Sequence, residues 1–136
     1  MIYILGYMGL VPFILLPVLF GLTHSQASFH FIMSFLIYSA GIALFMAGAV
    51  WGRCVDRTVP EKRSLVASNV ITLGVIALGL FVFYSPMVLL IGIGLAHGLN
   101  LYFEPKRDHP RYLKLRFILT GVVLTAHLCM LALIVI

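Results

Sequence analysis

The sequence predicts an all-α membrane protein of five transmembrane helices, with its N-terminus inside, its C-terminus outside and a first helix kinked at Pro12 and Pro17. Three observations carry that expectation. The 136 residues are 62% hydrophobic and only 10% charged, with a mean hydropathy of +1.14, whereas about a quarter of the residues in a soluble domain are charged. At roughly 20 apolar residues per crossing of about 30 Å of hydrocarbon, such a chain holds five or six spans and no separate extramembrane domain. The charged residues, nine Lys and Arg against four Asp and Glu, are absent from the first 52 positions and gather in two groups, Arg53 to Arg63 and Glu104 to Arg116.

Apolar runs between these groups and the turn signals place spans near 2–22, 32–52, 65–84, 86–102 and 114–136, in one domain over 1–136. Backbone amides in hydrocarbon must be satisfied within their own segment, so the runs are helices. Residues 1–22, followed by Ser25-Gln26-Ala27, have the outline of a signal peptide, but the start lacks positive charge and the apolar run is about twice the usual length. We read it as a retained first span. Pro12 and Pro17 lie inside it; each removes an amide donor and bends the helix, and the freed carbonyls need other partners. In the second span, Ser34 and Tyr38 form an i, i+4 pair. The third span closes at Tyr84-Ser85-Pro86, where Pro86 suits a helix start. The fourth is the shortest, which implies little tilt or partial shielding.

Five crossings put the N-terminus and both charged loops on one side, and the uncharged first and third loops on the other. Four or six crossings would separate the basic loops. Lys and Arg concentrate in cytoplasmic loops, so the charged side is the inner one, and the expected location is the cytoplasmic (inner) membrane of a bacterium, or an organelle equivalent with the matrix as "inside". The boundary aromatics agree with this layout: Tyr3, Tyr7, Trp51, Tyr102 and Tyr112 at the inner interface, Phe29, Phe31, Phe83 and Tyr84 at the outer.

Helices in lipid associate through close packing at small residues. The second span carries Ser39, Ala43 and Ala47 at fourfold spacing and Gly48 and Gly52 in a GxxxG; the fourth carries Gly94 and Gly98 in another. Packing within the bundle is the commoner use of such motifs, and a docking face for another subunit is the functional alternative.

His97 and His127 fall at similar depth on antiparallel neighbours. Two imidazoles so placed are the arrangement that ligates a b-type haem, or that meets a quinone, with Tyr38 and Trp51 as neighbours. The commoner fate of an intramembrane His is a hydrogen bond across the bundle. Asn69, Thr72, Asn100, Thr120 and Thr125 are further polar side chains within spans, and no ionised residue is expected at depth, which opposes a transporter. Cys54 and Cys129 are too far apart along the membrane normal to bridge. His24 and His30, in the first loop, have no acidic partner and read as solvated. No CxxC, HExxH, GxSxG or phosphate-cradling loop occurs, so no enzyme, metal or resident cofactor is expected. Lys62, Arg63, Lys106, Arg107, Arg111, Lys114 and Arg116 would attract anionic phospholipid of the inner leaflet. Nothing reads nucleic acid.

Two stretches, Tyr38-Ser39-Ala40-Gly41 running through Phe45-Met46-Ala47-Gly48-Ala49-Val50-Trp51-Gly52, and Tyr112 to Thr120, resemble the transmembrane protein 69-like family, as does Gly9-Leu10-Val11-Pro12-Phe13. The resemblance implies a bacterial and mitochondrial domain of unknown function with five spans, and Val50 departs from the His or Arg that often precedes its Trp. It brings no catalytic residues. The expected function is a non-catalytic accessory subunit or assembly factor of a larger energy-transducing complex, respiratory or photosynthetic. The alternative is a redox or ligand-binding protein using His97 and His127.

Overall fold

The computed structural model describes residues 2–23, 27–56, 61–81, 85–105 and 110–135. Six helices follow one another: α1 (Ile2–Met8), α2 (Val11–Leu22), α3 (Ala27–Val55), α4 (Lys62–Gly79), α5 (Pro86–Tyr102) and α6 (Pro110–Val135). Among the described residues there is no strand. Four stretches, Ile4–Leu22 across α1 and α2, Ser28–Val55, Lys62–Gly79 and Pro110–Val135, are long and apolar enough to cross a membrane; Pro86–Tyr102 is a shorter apolar helix.

The expected bend in the first span is a break at Gly9 and Leu10, between α1 and α2. Pro12 takes a place in the first turn of α2, where its missing amide costs nothing, and Pro17 stays inside that helix, buried. The carbonyl of Gly9 would face the amide of Phe13 in an unbroken helix; here it accepts a hydrogen bond from the Tyr38 hydroxyl at 2.9 Å. Tyr38 therefore serves the break in the first span, while Ser34 is exposed. The helix ends differ from the expected ones. α3 runs on at both ends to 29 residues, about 43 Å of helix. Pro110 opens α6 four residues earlier than the last apolar run suggests, again because proline is tolerated at a helix start.

α2, α3, α5 and α6 close a four-helix ring, each packed on the next, and α4 lies outside it against α3 and α5. α5, at 17 residues about 26 Å long, is flanked by α3, α4 and α6 and buries Leu89, Leu90, Ile93, Ala96, His97 and Asn100. A helix so enclosed does not have to match the hydrocarbon thickness by itself. The tightest approach around a glycine is at Gly92, where an added Cβ would stand 2.5 Å from a terminal carbon of Leu78 on α4.

Outside the ring the polarity is inverted relative to a soluble protein. Ile37, Phe45, Leu80 and Leu128 are each at least 66% exposed, while Ser39, Ser64, Ser68, Asn100 and Thr120 are buried. An apolar surface of this extent is soluble in hydrocarbon and insoluble in water. The two groups of charge meet at one end of the bundle. Arg53 of α3 pairs with Glu104, which follows α5, Arg116 of α6 pairs with the same carboxylate, and the guanidinium of Arg63 lies 5.7 Å from the Tyr102 ring centre.

Candidate functional site

At the centre of the ring each helix contributes one group. Ser39 of α3 is fully buried, and its hydroxyl lies 3.0 Å from Nε2 of His97 on α5 and 3.0 Å from Nε2 of His127 on α6. Phe13 of α2 faces both imidazoles, and the Phe35 ring packs edge-on against His127 at 4.9 Å between centres. The two histidines meet because each lies about 12 to 16 Å from the same end of its helix.

One hydrogen bond sets the protons of the group. His127 Nδ1 lies 2.9 Å from the carbonyl oxygen of Val123; that oxygen can only accept, so Nδ1 carries the proton. In the neutral imidazole Nε2 is then an acceptor, and the Ser39 hydroxyl donates to it. Ser39 has no second proton, so His97 Nε2 donates to the serine oxygen. The chain runs one way, from His97 through Ser39 to His127 and on to Val123. It leaves Nδ1 as the remaining acceptor of His97.

The ring centres of the two histidines are 5.6 Å apart, and the space between their Nε2 atoms holds the Ser39 hydroxyl. A haem between them would have to displace this buried side chain and the flanking phenylalanines. As packed, the residues satisfy one another and do not fit a porphyrin. The two histidines meet through the Ser39 hydroxyl, as a hydrogen-bonded group.

Toward the charged end further polar side chains are buried. Asn100, one turn along α5 from His97, donates from Nδ2 to the carbonyl of Ala43 at 2.9 Å, and Thr120 of α6 is buried at 5% exposure. Beyond them Glu104 is 3% exposed. Its Oε2 accepts from Arg116 Nε at 3.1 Å and pairs with Nη2 of the same guanidinium at 3.0 Å, while Oε1 pairs with Arg53. Arg116 also donates to the Met46 sulfur, and the Tyr112 ring lies 4.9 Å from the Arg53 guanidinium carbon. Arg116, expected among the exposed basic residues of the inner face, is instead paired inside the bundle. Arg116 is 5% exposed and turned inward, because Glu104 folds back under the end of α5 to receive it.

The remaining expected residues divide. Ser39, Ala43 and Ala47 are fully buried within the bundle, so that stripe is internal. Gly48 and Gly52, on the same helix, are exposed, and a Cβ on either would have nothing within 4 Å. Gly94 is buried with its Cβ position 3.5 Å from His127, and Gly98 faces open space. Lys62, Arg63, Arg111 and Lys114 are exposed at the charged end. Lys106, Arg107, His24, Phe83 and Tyr84, and the side chain of Tyr3, lie outside the described residues. Both cysteines are unbridged, Cys54 buried and Cys129 exposed. Among the described residues no three His, Cys, Asp or Glu gather as a metal site. Thr72 and Thr125 bond to the carbonyl one turn back in their own helices, at 2.9 Å each, and Asn69 does the same at 3.0 Å.

Sequence reasoning placed Ser39 in a packing stripe and Glu104 in a loop; neither emerged as part of a polar interior. A signal was present in the spacing. His97 and Asn100 share one face of α5, with Glu104 four residues on and just past its end, and Arg116, Thr120 and His127 share one face of α6, at separations of whole turns.

Fold and interior together define an all-α bundle of membrane-spanning type with two buried polar groups, His97, Ser39 and His127 at the centre of the ring and Arg53, Glu104 and Arg116 at the charged end. Residues 1–132 match a family described as a protein of unknown function (DUF3429), and the chain belongs to that family. No curated protein and no solved structure matches it.

Proposed function

We propose that this is a five-span protein of the bacterial inner membrane, charged end in the cytoplasm, that serves as a non-catalytic accessory subunit or assembly factor of a larger membrane complex. The observation that carries the reading is the outward face of α3: Gly48 and Gly52 stand exposed beside Phe45 and Trp51, with open space where a Cβ would be. Close approach at small residues is the main source of helix association in lipid, and the bundle leaves this GxxxG free for a partner's transmembrane helix. The energy-transducing class of complex rests on the chain's small size and polytopic form, and the five-span topology on the shared position of the basic loops. The resemblance to the transmembrane protein 69-like family supports the same span count.

The test is native electrophoresis of mildly solubilised membranes. The protein should migrate with a larger assembly, and a Gly48→Leu, Gly52→Leu double variant should run free while keeping its own fold. Migration of the wild-type chain as an isolated monomer would contradict the reading.

A redox or ligand-binding role is the second reading, favoured by the meeting of His97 and His127. Haem ligation predicts a Soret band in the purified protein that is lost in His127→Ala. A colourless protein ends that version, and the filling of the inter-imidazole space by Ser39 speaks for this result.

A further inference from the structure

We propose that the bundle holds a site for an anionic amphiphile, an acyl chain bearing a carboxylate or phosphate, in the cavity between the first span, α3 and α6. The proposal goes beyond a partner-binding role and rests on the chain's placement in a membrane. The cavity has a volume of about 400 Å³. Leu10, Ile42 and Leu119 are among its walls, Arg53 and Arg116 are among its lining at the charged end, and His97 lines it deeper in. Both guanidiniums lie within about 10 Å of the helix ends that carry the charge, which is the depth of a headgroup. Ile42 lies eleven residues up α3 from Arg53, so apolar wall continues for about 16 Å beneath it.

The charge balance selects the ligand. Among the described residues a single carboxylate, Glu104, faces two guanidiniums. Among the described residues this cluster thus has one guanidinium more than it has carboxylates, at the edge of a cavity with apolar walls. Arg53 Nε is also buried without a hydrogen-bond partner. A carboxylate or phosphate at the cavity mouth would supply both the missing negative charge and the missing acceptor, in the geometry that guanidinium groups favour. Its hydrocarbon chain would fill the space between the helices. A zwitterionic lipid brings a cation of its own and a neutral quinone brings no charge, so neither meets the requirement.

Native mass spectrometry of the full chain in detergent tests the site with oleate, dioleoylphosphatidylglycerol, dioleoylphosphatidylcholine and decylubiquinone as probes. The protein should retain oleate or phosphatidylglycerol in preference to phosphatidylcholine by about tenfold, the weight of one charge-assisted hydrogen bond. Arg53→Gln should remove most of that preference. Ala49→Leu, which narrows the cavity without touching a charge, should reduce retention of both anionic probes, and Ser34→Ala, exposed on α3 and outside the cavity lining, should change nothing. Retention of oleate alone identifies a free fatty acid as the source, and retention of phosphatidylglycerol a membrane lipid; either supports the site. Equal retention of phosphatidylcholine, a preference for decylubiquinone, or full retention in both Arg53→Gln and Ala49→Leu overturns it. Because the isolated chain is used, the outcome is independent of whether a partner complex is found.

Discussion

Replacing Ser39 with Ala would leave the Nε2 atoms of His97 and His127 with no group between them, in an interior where each unsatisfied polar atom costs about 1 to 3 kcal/mol. Thermal unfolding in detergent should show Ser39→Ala losing about 2 to 4 kcal/mol, with Ser39→Thr retaining more of the stability because the hydroxyl remains. Unchanged melting of Ser39→Ala would mean that the imidazoles find other partners. Glu104 is the other residue with a large expected effect. Glu104→Gln removes the anion shared by Arg53 and Arg116, and breaking one side of a buried ion pair costs about 3 to 5 kcal/mol. Arg53 is 32% exposed at its side chain and can turn toward water, so the lower end of that range is expected, again by thermal unfolding. These roles were only partly legible in the sequence. The similar depth of His97 and His127 follows from counting residues along two antiparallel helices, but depth alone does not decide whether two side chains turn toward each other. The serine that joins them looks the same as any small residue in a packing stripe, since Ser39, Ala43 and Ala47 recur at the spacing of helix contacts. Only the positions of three helices relative to one another distinguish a hydroxyl that spaces from one that bonds.

The break between α1 and α2 is held from α3. Tyr38→Phe deletes the hydrogen bond to the Gly9 carbonyl and should cost about 1 kcal/mol. Hydrogen exchange at residues 9 to 13 should rise in this variant while exchange in α5 stays as it is; uniform change across the chain would mean that Tyr38 acts by packing alone. The helices themselves were legible from apolar run length, whereas the ring of α2, α3, α5 and α6 with α4 outside it was not. Their ends were less so. α3 and α6 continue past the apolar runs because charged residues such as Arg53 and Arg111 are good helix formers that hydropathy discounts. The glycines show the same division between pattern and position. GxxxG spacing singled out Gly48, Gly52, Gly94 and Gly98, whereas the closest approach is at isolated Gly92, against Leu78. No spacing rule reports where a neighbouring leucine will lie.

On the scale of the whole molecule, buried polar side chains occur among apolar ones such as Ala47, Val50 and Leu115 from the charged end to the His97, Ser39 and His127 group, and the ring interior beyond it, through Phe35, Leu90 and Met130, is apolar. The outward surface of the spans is largely apolar, with Ser34, Asn69 and Thr125 exposed among the apolar side chains. This arrangement places the charged residues, the buried polar groups and the proposed amphiphile site in one half of the bundle, and leaves the other half to packing. Arg53, Glu104 and Arg116 can join the two basic segments because two helices, α4 and α5, lie between Arg53 and Glu104 and return the chain to the same end. The proposed orientation rests on the positive-inside distribution of loop charge and not on any contact within the bundle.

Accessibility of single cysteines in intact and permeabilised cells tests this topology most directly. In a background lacking Cys54 and Cys129, Lys62→Cys and Arg111→Cys should both resist a membrane-impermeant maleimide in intact cells and react after permeabilisation, while Leu80→Cys, at the opposite end of α4 from Lys62, reacts without it. Labelling of Lys62→Cys or Arg111→Cys in intact cells, or protection of one and not the other, would contradict a five-crossing bundle with its charge on the cytoplasmic side.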